Sequence, residues 1–151
     1  MTEPARPARR AERPVIGVLE RVDIPAWGVR GIDARVDTGA RTSALHVDAL
    51  KELGDGRVRF ELGKIGKSGR RPAPVEATVA RRTRVRSTSG ATEARVFVTA
   101  HVVLGGAEHR IEVGLVDRSH MQHPMLLGRS ALAGRFLIDP GRRYLLSARK
   151  R

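Results

Sequence analysis

Apolar residues alternate with polar ones along several short stretches, and this pattern constrains the fold more than any other feature. Ile32, Ala34 and Val36 alternate in this way, and the same period of two recurs at 58–62, 96–102 and 111–115. Because successive side chains of a strand point to opposite faces, each stretch is predicted to be a half-buried strand. Glycine-containing turn signals lie at 54–56, 68–69, 89–90 and 105–106. Many short strands joined by such turns predict a small, closed or sandwiched all-β domain.

Two stretches favour helices, and both are short. The first covers 42–53, although its length is uncertain, and the second begins near Ser130 as an N-cap and stops at Gly134. A length of 151 residues fits one domain with its own hydrophobic core. We expect a disordered basic leader at 1–14, a folded domain at 15–147 and a basic tail at 148–151.

Composition excludes several classes of protein. The chain has no cysteine, which excludes disulfides and thiolate metal sites. No apolar run approaches the roughly 20 residues of a membrane span. Residues 1–14 lack the apolar core of a secretory signal. The expected compartment is therefore the cytoplasm, with no membrane partner.

The net charge indicates an acidic partner. Lys and Arg number 29 against 16 Asp and Glu, for a formal net charge of +13. Such a field attracts polyanions, whether nucleic acid or acidic peptide. An arginine-rich proteome would produce the same charge without any function. Only one Trp, one Tyr and three Phe are present, which disfavours a surface that stacks single-stranded bases.

The segment that follows the strand at 32–36 has the composition of a carboxylate catalyst. Asp37 comes directly after the strand, and Thr38 and Gly39 follow it. Peptide hydrolysis by carboxylates requires two of them to share one proton and hold one water, since like charges so close cannot both ionise. The strand would fix Asp37, the Thr38 hydroxyl would brace the loop, and Gly39 would bring its N–H to the carboxylate. Taken alone, the tripeptide more often marks a turn or a helix cap.

Motifs for other chemistries fail. Gly66-Lys67-Ser68 would end a nucleotide-binding loop, but the glycine required at position 61 is replaced by Glu61. No His-Glu-x-x-His is present, and the spacing of His120 and His123 is unspecific, so no metal and no cofactor are predicted. Ser43 and His46 lack an oxyanion partner, so nucleophilic catalysis by this pair is not predicted. His101 and His109 are expected on strand surfaces.

A second element, near the other end of the chain, makes the pattern specific. Met125, Leu126 and Leu127 precede Gly128-Arg129 and the predicted short helix. The order of Asp-Thr-Gly-Ala, a hairpin, two apolar residues with Gly-Arg, and a helix resembles the retropepsins. The chain is still more similar to a bacterial family of retropepsin-like aspartic peptidases, whose older label names an ATP-dependent zinc protease. The resemblance covers about 15–147 and rests on 15–17, Glu20, 37–46, 84–88, 117–119 and 125–129.

The resemblance implies a small closed retropepsin-like β-barrel that is active as a symmetric homodimer. Asp37 resembles the water-activating carboxylate, with the second supplied by a partner chain because only one Asp-Thr-Gly is present. Thr38 resembles the hydroxyl that links the two catalytic loops, and Gly39 completes the catalytic set. The segment 86–95 resembles the flap hairpin. Leu127 and Gly128 resemble the supporting strand, and Arg129 is expected in a structural ion pair.

Alternative carboxylate partners for Asp37 within one chain are Asp117 and Asp139. Asp117 belongs to a family-like motif and is kept as a substrate or Arg118 contact, whereas Asp139, before Pro140, is expected to start a turn.

The resemblance also implies an acidic substrate. The family is similar to peptidases that trim poly-α-glutamate tails and are often encoded near ATP-grasp glutamate ligases. Retropepsins carry acidic residues after Asp-Thr-Gly-Ala, whereas Arg41 stands there in this chain, and arginine binds carboxylates bidentately. The residues expected to contact substrate are Ala40, Arg41, Arg84, Arg86, Ser87, Thr88, Asp117 and Arg118.

The sequence therefore predicts an aspartic endopeptidase that cuts acidic peptides or poly-glutamate-tailed proteins, with a functional link to a glutamate ligase. One alternative is a non-catalytic module that binds RNA or another polyanion, in which Asp37 would have no task. Another is the zinc-dependent peptidase that the older family label implies.

Overall fold

A computed structural model of the chain describes residues 12–65, 70–86, 90–116 and 122–147, and nearly all of its regular elements are strands. Apart from Glu12, which is also in 3₁₀ conformation, the helical residues of the described part form a 3₁₀ turn at Pro25–Trp27 and the short α1 at Arg129–Leu132. The prediction of an all-β fold with one or two short helices is thereby confirmed. The strands are β1 (Val15–Ile16), β2 (Leu19–Ile24), β3 (Val29–Val36), β4 (Ser43–His46), β5 (Asp48–Gly54), β6 (Arg57–Glu61), β7 (Val75–Arg86), β8 (Thr92–Leu104), β9 (Ala107–Val116), β10 (Met125–Leu127) and β11 (Leu137–Ile138).

Six of these strands close into a barrel. Their order is β2-β3-β10-β4-β9-β8, and the ring closes where Asp23 of β2 pairs with Val103 of β8. Beyond β8 the sheet continues outwards through β7, β6 and β5, while β1 and β11 form a separate parallel pair. The expected closed barrel is therefore present.

The apolar residues of the predicted alternating pattern fill the barrel interior. On β8 the residues Val98, Ala100 and Val102 are buried, and Val98 and Ala100 face Val113 and Ile111 of β9 across the sheet. Paired residues of neighbouring strands share one face, so these side chains form a single apolar layer. Their burial against β2, β3 and α1 places the core inside the ring of strands.

The predicted helix at 42–53 is wrong, because the segment forms β4 and β5 instead. Ser43, Leu45 and Val47 are buried in alternation, as one face of a strand requires. β4 pairs parallel with β9 and antiparallel with β10, which satisfies its backbone on both sides. Packing and pairing within the sheet override local helix preference here.

The second predicted helix exists but starts differently. Gly128 occupies the N-cap position and makes no side-chain cap bond, and α1 begins at Arg129, so the expected cap at Ser130 is wrong. Ala131 and Leu132 are buried against the barrel. No helix among the described residues is long and apolar enough to cross a membrane.

A buried carboxylate fixes the C-terminal segment 142–147. Glu20 of β2 has no exposed surface, and its carboxylate accepts hydrogen bonds from the backbone N–H groups of Gly17 and 145–147 and from the Ser147 hydroxyl. Burial raises the pKa of Glu20, but the hydrogen bonds from Gly17, Ser147 and Leu145 together outweigh it, so the pKa lies below its ordinary value. The segment is thus held across β2 by an ionised group.

Candidate active site

Asp37 lies at the end of β3, where the barrel wall becomes a loop. Ile32, Ala34 and Val36 anchor β3 in the core, and Asp37 is half-buried at the next position. Its backbone N–H donates to the Leu127 carbonyl at 2.9 Å. The position of Asp37 is therefore set by a strand on one side and by β10 on the other.

The loop folds back on the carboxylate. The Gly39 N–H donates to Asp37 Oδ1 at 3.1 Å, and the Ala40 N–H donates to the Asp37 carbonyl at 3.2 Å. Thr38, Gly39 and Arg41 are exposed, and Ala40 is partly exposed. Oδ2 of Asp37 has no hydrogen-bond partner among the described residues, so one carboxylate oxygen is held and the other is free to bind water or a second carboxyl group.

β10 is inserted between the strands that flank the loop. Leu127 is in register with Val36 of β3, and Leu126 pairs with Ala44 of β4. At the next residue, a Cβ built on Gly128 would lie 2.4 Å from the Thr42 carbonyl oxygen, so only glycine allows the two backbones to approach this closely. The Gly128 N–H donates to the buried Ser43 hydroxyl at 3.0 Å.

Arg129 contacts the loop twice. Its backbone N–H donates to the Ala40 carbonyl at 2.8 Å, and its guanidinium Nη1 donates to the Thr38 carbonyl at 3.1 Å. The next residue, Ser130, donates its N–H to the Arg41 carbonyl at 2.9 Å. Among the described carboxylates none lies within ion-pair distance of Arg129, and within this part of the chain its guanidinium bonds to the Asp37 loop.

Two of the expected substrate arginines are exposed and without a partner in the described part of the chain, Arg41 in the loop and Arg84 in β7. Arg84 pairs with Ala94, which lies on the same face of β8 as Val96 and the buried Val98. Arg84 therefore projects from the face of the β7–β8 hairpin that continues the barrel interior. Neighbouring arginines differ, since Arg81 and Arg82 are paired with Glu112 and Glu52.

Other predicted site residues are placed only in part. Arg86 ends β7, and nothing is described of its side chain. Ser87, Thr88, Asp117 and Arg118 lie outside the described residues. Asp139 accepts a hydrogen bond from the Gly141 N–H at 3.0 Å, which is the turn expected there.

The histidines form no metal centre in the described regions, where no three His, Asp or Glu side chains are grouped closely enough to share an ion. His101 is exposed, as expected. His109 lies in β9 and is only partly exposed, because its Nε2 is buried, with no hydrogen-bond partner among the described residues, and its ring meets Phe136 edge to face at 5.0 Å. Burial and the nearby positive charge of Arg135 lower the pKa of His109.

Sequence reasoning missed the roles of Ser43 and Glu20 as buried acceptors. Ser43 bonds to a residue 85 positions away, and Glu20 to residues 125 to 127 positions away. No local pattern shows such partners. The only available signal was the presence of both residues in motifs that resemble the family's.

Known proteins resemble this chain in sequence. The profile of the RimB-like family, described as retropepsin-like aspartic endopeptidase RimB, matches residues 15–149. A Shewanella pealeana protein named "Probable alpha-L-glutamate ligase" is 37% identical over 135 residues, which are 87% of this chain and 30% of that protein. A Parasynechococcus marenigrum protein of the same name is 36% identical over 129 residues, or 83% of this chain and 28% of that protein. The chain thus spans less than a third of the length of these relatives.

A solved structure shares the fold. A Legionella pneumophila protein of unknown function superposes with a TM-score of 0.72 at 23% identity, covering 88% of this chain and 98% of that one. The closed barrel, with an Asp-Thr-Gly loop held by the inserted β10, defines a retropepsin-like protein. Within that class, the chain belongs to the RimB-like family of retropepsin-like aspartic endopeptidases.

Proposed function

We propose that this chain is an aspartic endopeptidase in which Asp37 from each of two copies forms one catalytic dyad. The observation that carries the proposal is the fixed geometry of the Asp37 loop. One oxygen of the carboxylate accepts the Gly39 N–H, and the Asp37 backbone is bonded to β10. A carboxylate held in this way at the end of a rigid strand is suited to face a symmetry-related copy across a twofold axis.

The dyad would hydrolyse a peptide bond by general acid–base catalysis. Two adjacent carboxyl groups share one proton, since both cannot be ionised at such short range. The ionised group takes a proton from a bound water as that water attacks the scissile carbonyl carbon. The protonated group donates to the carbonyl oxygen, which gives a gem-diol. The first carboxyl group then returns its proton to the amide nitrogen, one diol hydroxyl gives its proton to the second carboxylate, and the C–N bond breaks to release an acid and an amine.

We propose an acidic substrate, with poly-α-glutamate as the first candidate. Arg41 follows the catalytic loop and Arg84 projects from the inner face of the β7–β8 hairpin, and both are exposed without a carboxylate partner among the described residues. Each guanidinium presents a planar set of donors that fits a substrate carboxylate. The formal net charge of +13 would attract such a polymer over a longer range.

The relatives' name supports a glutamate substrate but refers to a different reaction. Proteins named "Probable alpha-L-glutamate ligase" contain a segment like this chain in less than a third of their length. A domain that removes glutamate would serve as the counterpart of a ligase that adds it, so we propose a glutamate-tailed protein as substrate and a glutamate ligase as functional partner. The same name favours a second candidate function, in which the domain only binds poly-glutamate for a ligase.

Mass spectrometry of poly-α-glutamate separates these two functions. The polymer is incubated with the wild-type chain and with Asp37→Asn, which keeps the side-chain shape but removes the carboxylate. We expect shortened chains with the wild type alone. Binding without shortening by both proteins would favour the non-catalytic function. Equal shortening by both would show that Asp37 is not the catalyst, and a chelator control would then test for metal.

A further inference from the structure

One peptide unit links Arg129 to Asp37. The guanidinium Nη1 of Arg129 donates to the Thr38 carbonyl at 3.1 Å. The N–H at the other end of the same peptide belongs to Gly39, and it donates to Asp37 Oδ1 at 3.1 Å. A cation, a peptide dipole and a carboxylate therefore lie in series and are joined by two hydrogen bonds, although Arg129 and Thr38 are 91 residues apart along the chain.

The orientation of this peptide matters because hydrogen bonds in series polarise one another. A positive charge at the carbonyl end makes the N–H at the other end a better donor. The same bond prevents the Thr38–Gly39 peptide from rotating, and rotation would take the N–H away from Oδ1. Thr38 and Gly39 are exposed, so packing does little to hold them in place.

The described structure shows no other contact for the Arg129 guanidinium. Its guanidinium is exposed, and none of the described carboxylates lies within 4.0 Å of it. Its backbone N–H already ties α1 to Ala40, and that bond would persist with any side chain. Among the described contacts, the bond to the Thr38 carbonyl is the one that uses the long cationic side chain.

We propose that Arg129 is a positioning residue for the reaction, which fixes and polarises the Thr38–Gly39 peptide so that it holds Oδ1 of Asp37. This inference rests on the proposed function, because the consequence for turnover exists only if Asp37 is the catalyst. The contact itself is independent of any substrate. Arg129 acts on Asp37 through the peptide and does not touch substrate.

The kinetic test compares Arg129→Met and Arg129→Lys with Arg30→Met. Arg30 is an exposed arginine at the far end of β3 without a partner among the described residues. Arg30→Met therefore removes the same charge as Arg129→Met and serves as the control. We expect Arg129→Met to lower kcat by about 10- to 100-fold, the scale of a small misplacement in an active site. We expect KM to stay within about threefold for both an oligoglutamate and a neutral peptide. Lysine at 129 should restore part of kcat, and Arg30→Met should retain wild-type kinetics.

Two kinetic results would overturn the inference. A rise in KM for the oligoglutamate alone, with kcat unchanged, would make Arg129 a substrate contact. Wild-type kcat in Arg129→Met would show that the Thr38–Gly39 peptide keeps its position without the Arg129 side chain. If Arg129→Met fails to fold, Arg129→Gln decides, because it keeps an N–H donor but loses the positive charge, and an unchanged kcat in that variant would again count against the proposal.

A measurement without substrate separates this inference from the proposed function. The amide proton of Gly39 is followed by NMR for its chemical shift and its rate of exchange with solvent. In Arg129→Met we expect the resonance to move upfield and exchange to accelerate by about tenfold, with the amides of β3 unaffected. An unchanged Gly39 amide would contradict the link even in an active enzyme. A changed amide in a chain that cleaves no peptide would uphold the link and reject the peptidase.

Discussion

At Gly128 the backbones of β10 and of the segment leading into β4 come together with no room for a side chain. A Cβ at this position would meet the Thr42 carbonyl oxygen at 2.4 Å and its carbonyl carbon at 2.5 Å. Both atoms belong to the backbone, so neither can move without displacing the loop that carries Asp37. The glycine of the apolar-apolar-Gly motif is therefore required by the approach of two chain segments 86 positions apart in the numbering, from 42 to 128.

Gly128→Ala should destabilise the fold and reduce any Asp37-dependent activity. Forcing a methyl group into a closely packed site costs about 1 to 3 kcal/mol of unfolding free energy. Denaturant unfolding measures this loss, and Gly63→Ala is the control because a Cβ at Gly63 meets no atom within 4 Å. A stability loss below about 0.5 kcal/mol, the level of a neutral surface change, would contradict the contact.

Glu20 makes stability depend on pH. Its folded-state pKa lies below the ordinary value of 4.5, so the stability it contributes is present above about pH 4.5 and is lost as pH falls through the lower folded pKa. Glu20→Gln should lower the unfolding free energy at pH 7 by about 2 to 3 kcal/mol, because an amide group would face N–H donors that now bond to a carboxylate.

Unfolding curves of Glu20→Gln between pH 3 and pH 7 provide the test. The variant should lose less stability than the wild type over the acid range, since the titrating group is gone. Glu93→Gln, on an exposed position of β8, serves as the control and should follow the wild-type profile. Parallel pH profiles for the wild type and Glu20→Gln would show that Glu20 is not the group responsible.

At the scale of elements, the sequence predicts several of the barrel strands well. The period of two at 96–102 and 111–115 corresponds to β8 and β9, because these strands line the barrel interior. The segment 42–53 is predicted wrongly as a helix, because the strand conformation of β4 depends on its pairing with β9 and β10, which local sequence does not show. The Asp37 loop was located from its motif, whereas its contacts with Arg129 depend on tertiary structure.

The β7–β8 hairpin and the Asp37 loop should together determine charge preference. Arg41→Gln and Arg84→Gln should each raise KM for an oligoglutamate by roughly twofold to fivefold at low salt, the scale of one exposed ion pair. Neutral peptides should be cut as before, and the difference should shrink as salt screens the charges.

The matched control for this preference is Arg30→Gln, which removes an equal charge at the far end of β3. Its KM for the oligoglutamate should remain close to that of the wild type. If all three variants weaken binding equally, net charge alone attracts the polymer and neither Arg41 nor Arg84 forms a specific contact.

At the scale of the whole molecule, the chain has one Asp-Thr-Gly for a mechanism that requires two carboxylates. Asp139 is bonded into its own turn through the Gly141 N–H, and Asp117 lies outside the described residues. The proposed partner of Asp37 is a second copy of Asp37. In a symmetric pair every active site contains one Asp37 from each chain. An inactive chain should therefore disable the active chain with which it pairs.

The most direct test of a shared dyad is the rate of poly-α-glutamate cleavage by mixtures of wild-type chain and Asp37→Asn. The two proteins are unfolded together and refolded at constant total concentration, so that chains pair at random. If each site needs Asp37 from both chains, the rate follows the square of the wild-type fraction, and an equal mixture retains about a quarter of the full rate. A rate proportional to the wild-type fraction, with about half retained in the equal mixture, would show that each chain works alone and would contradict the shared dyad.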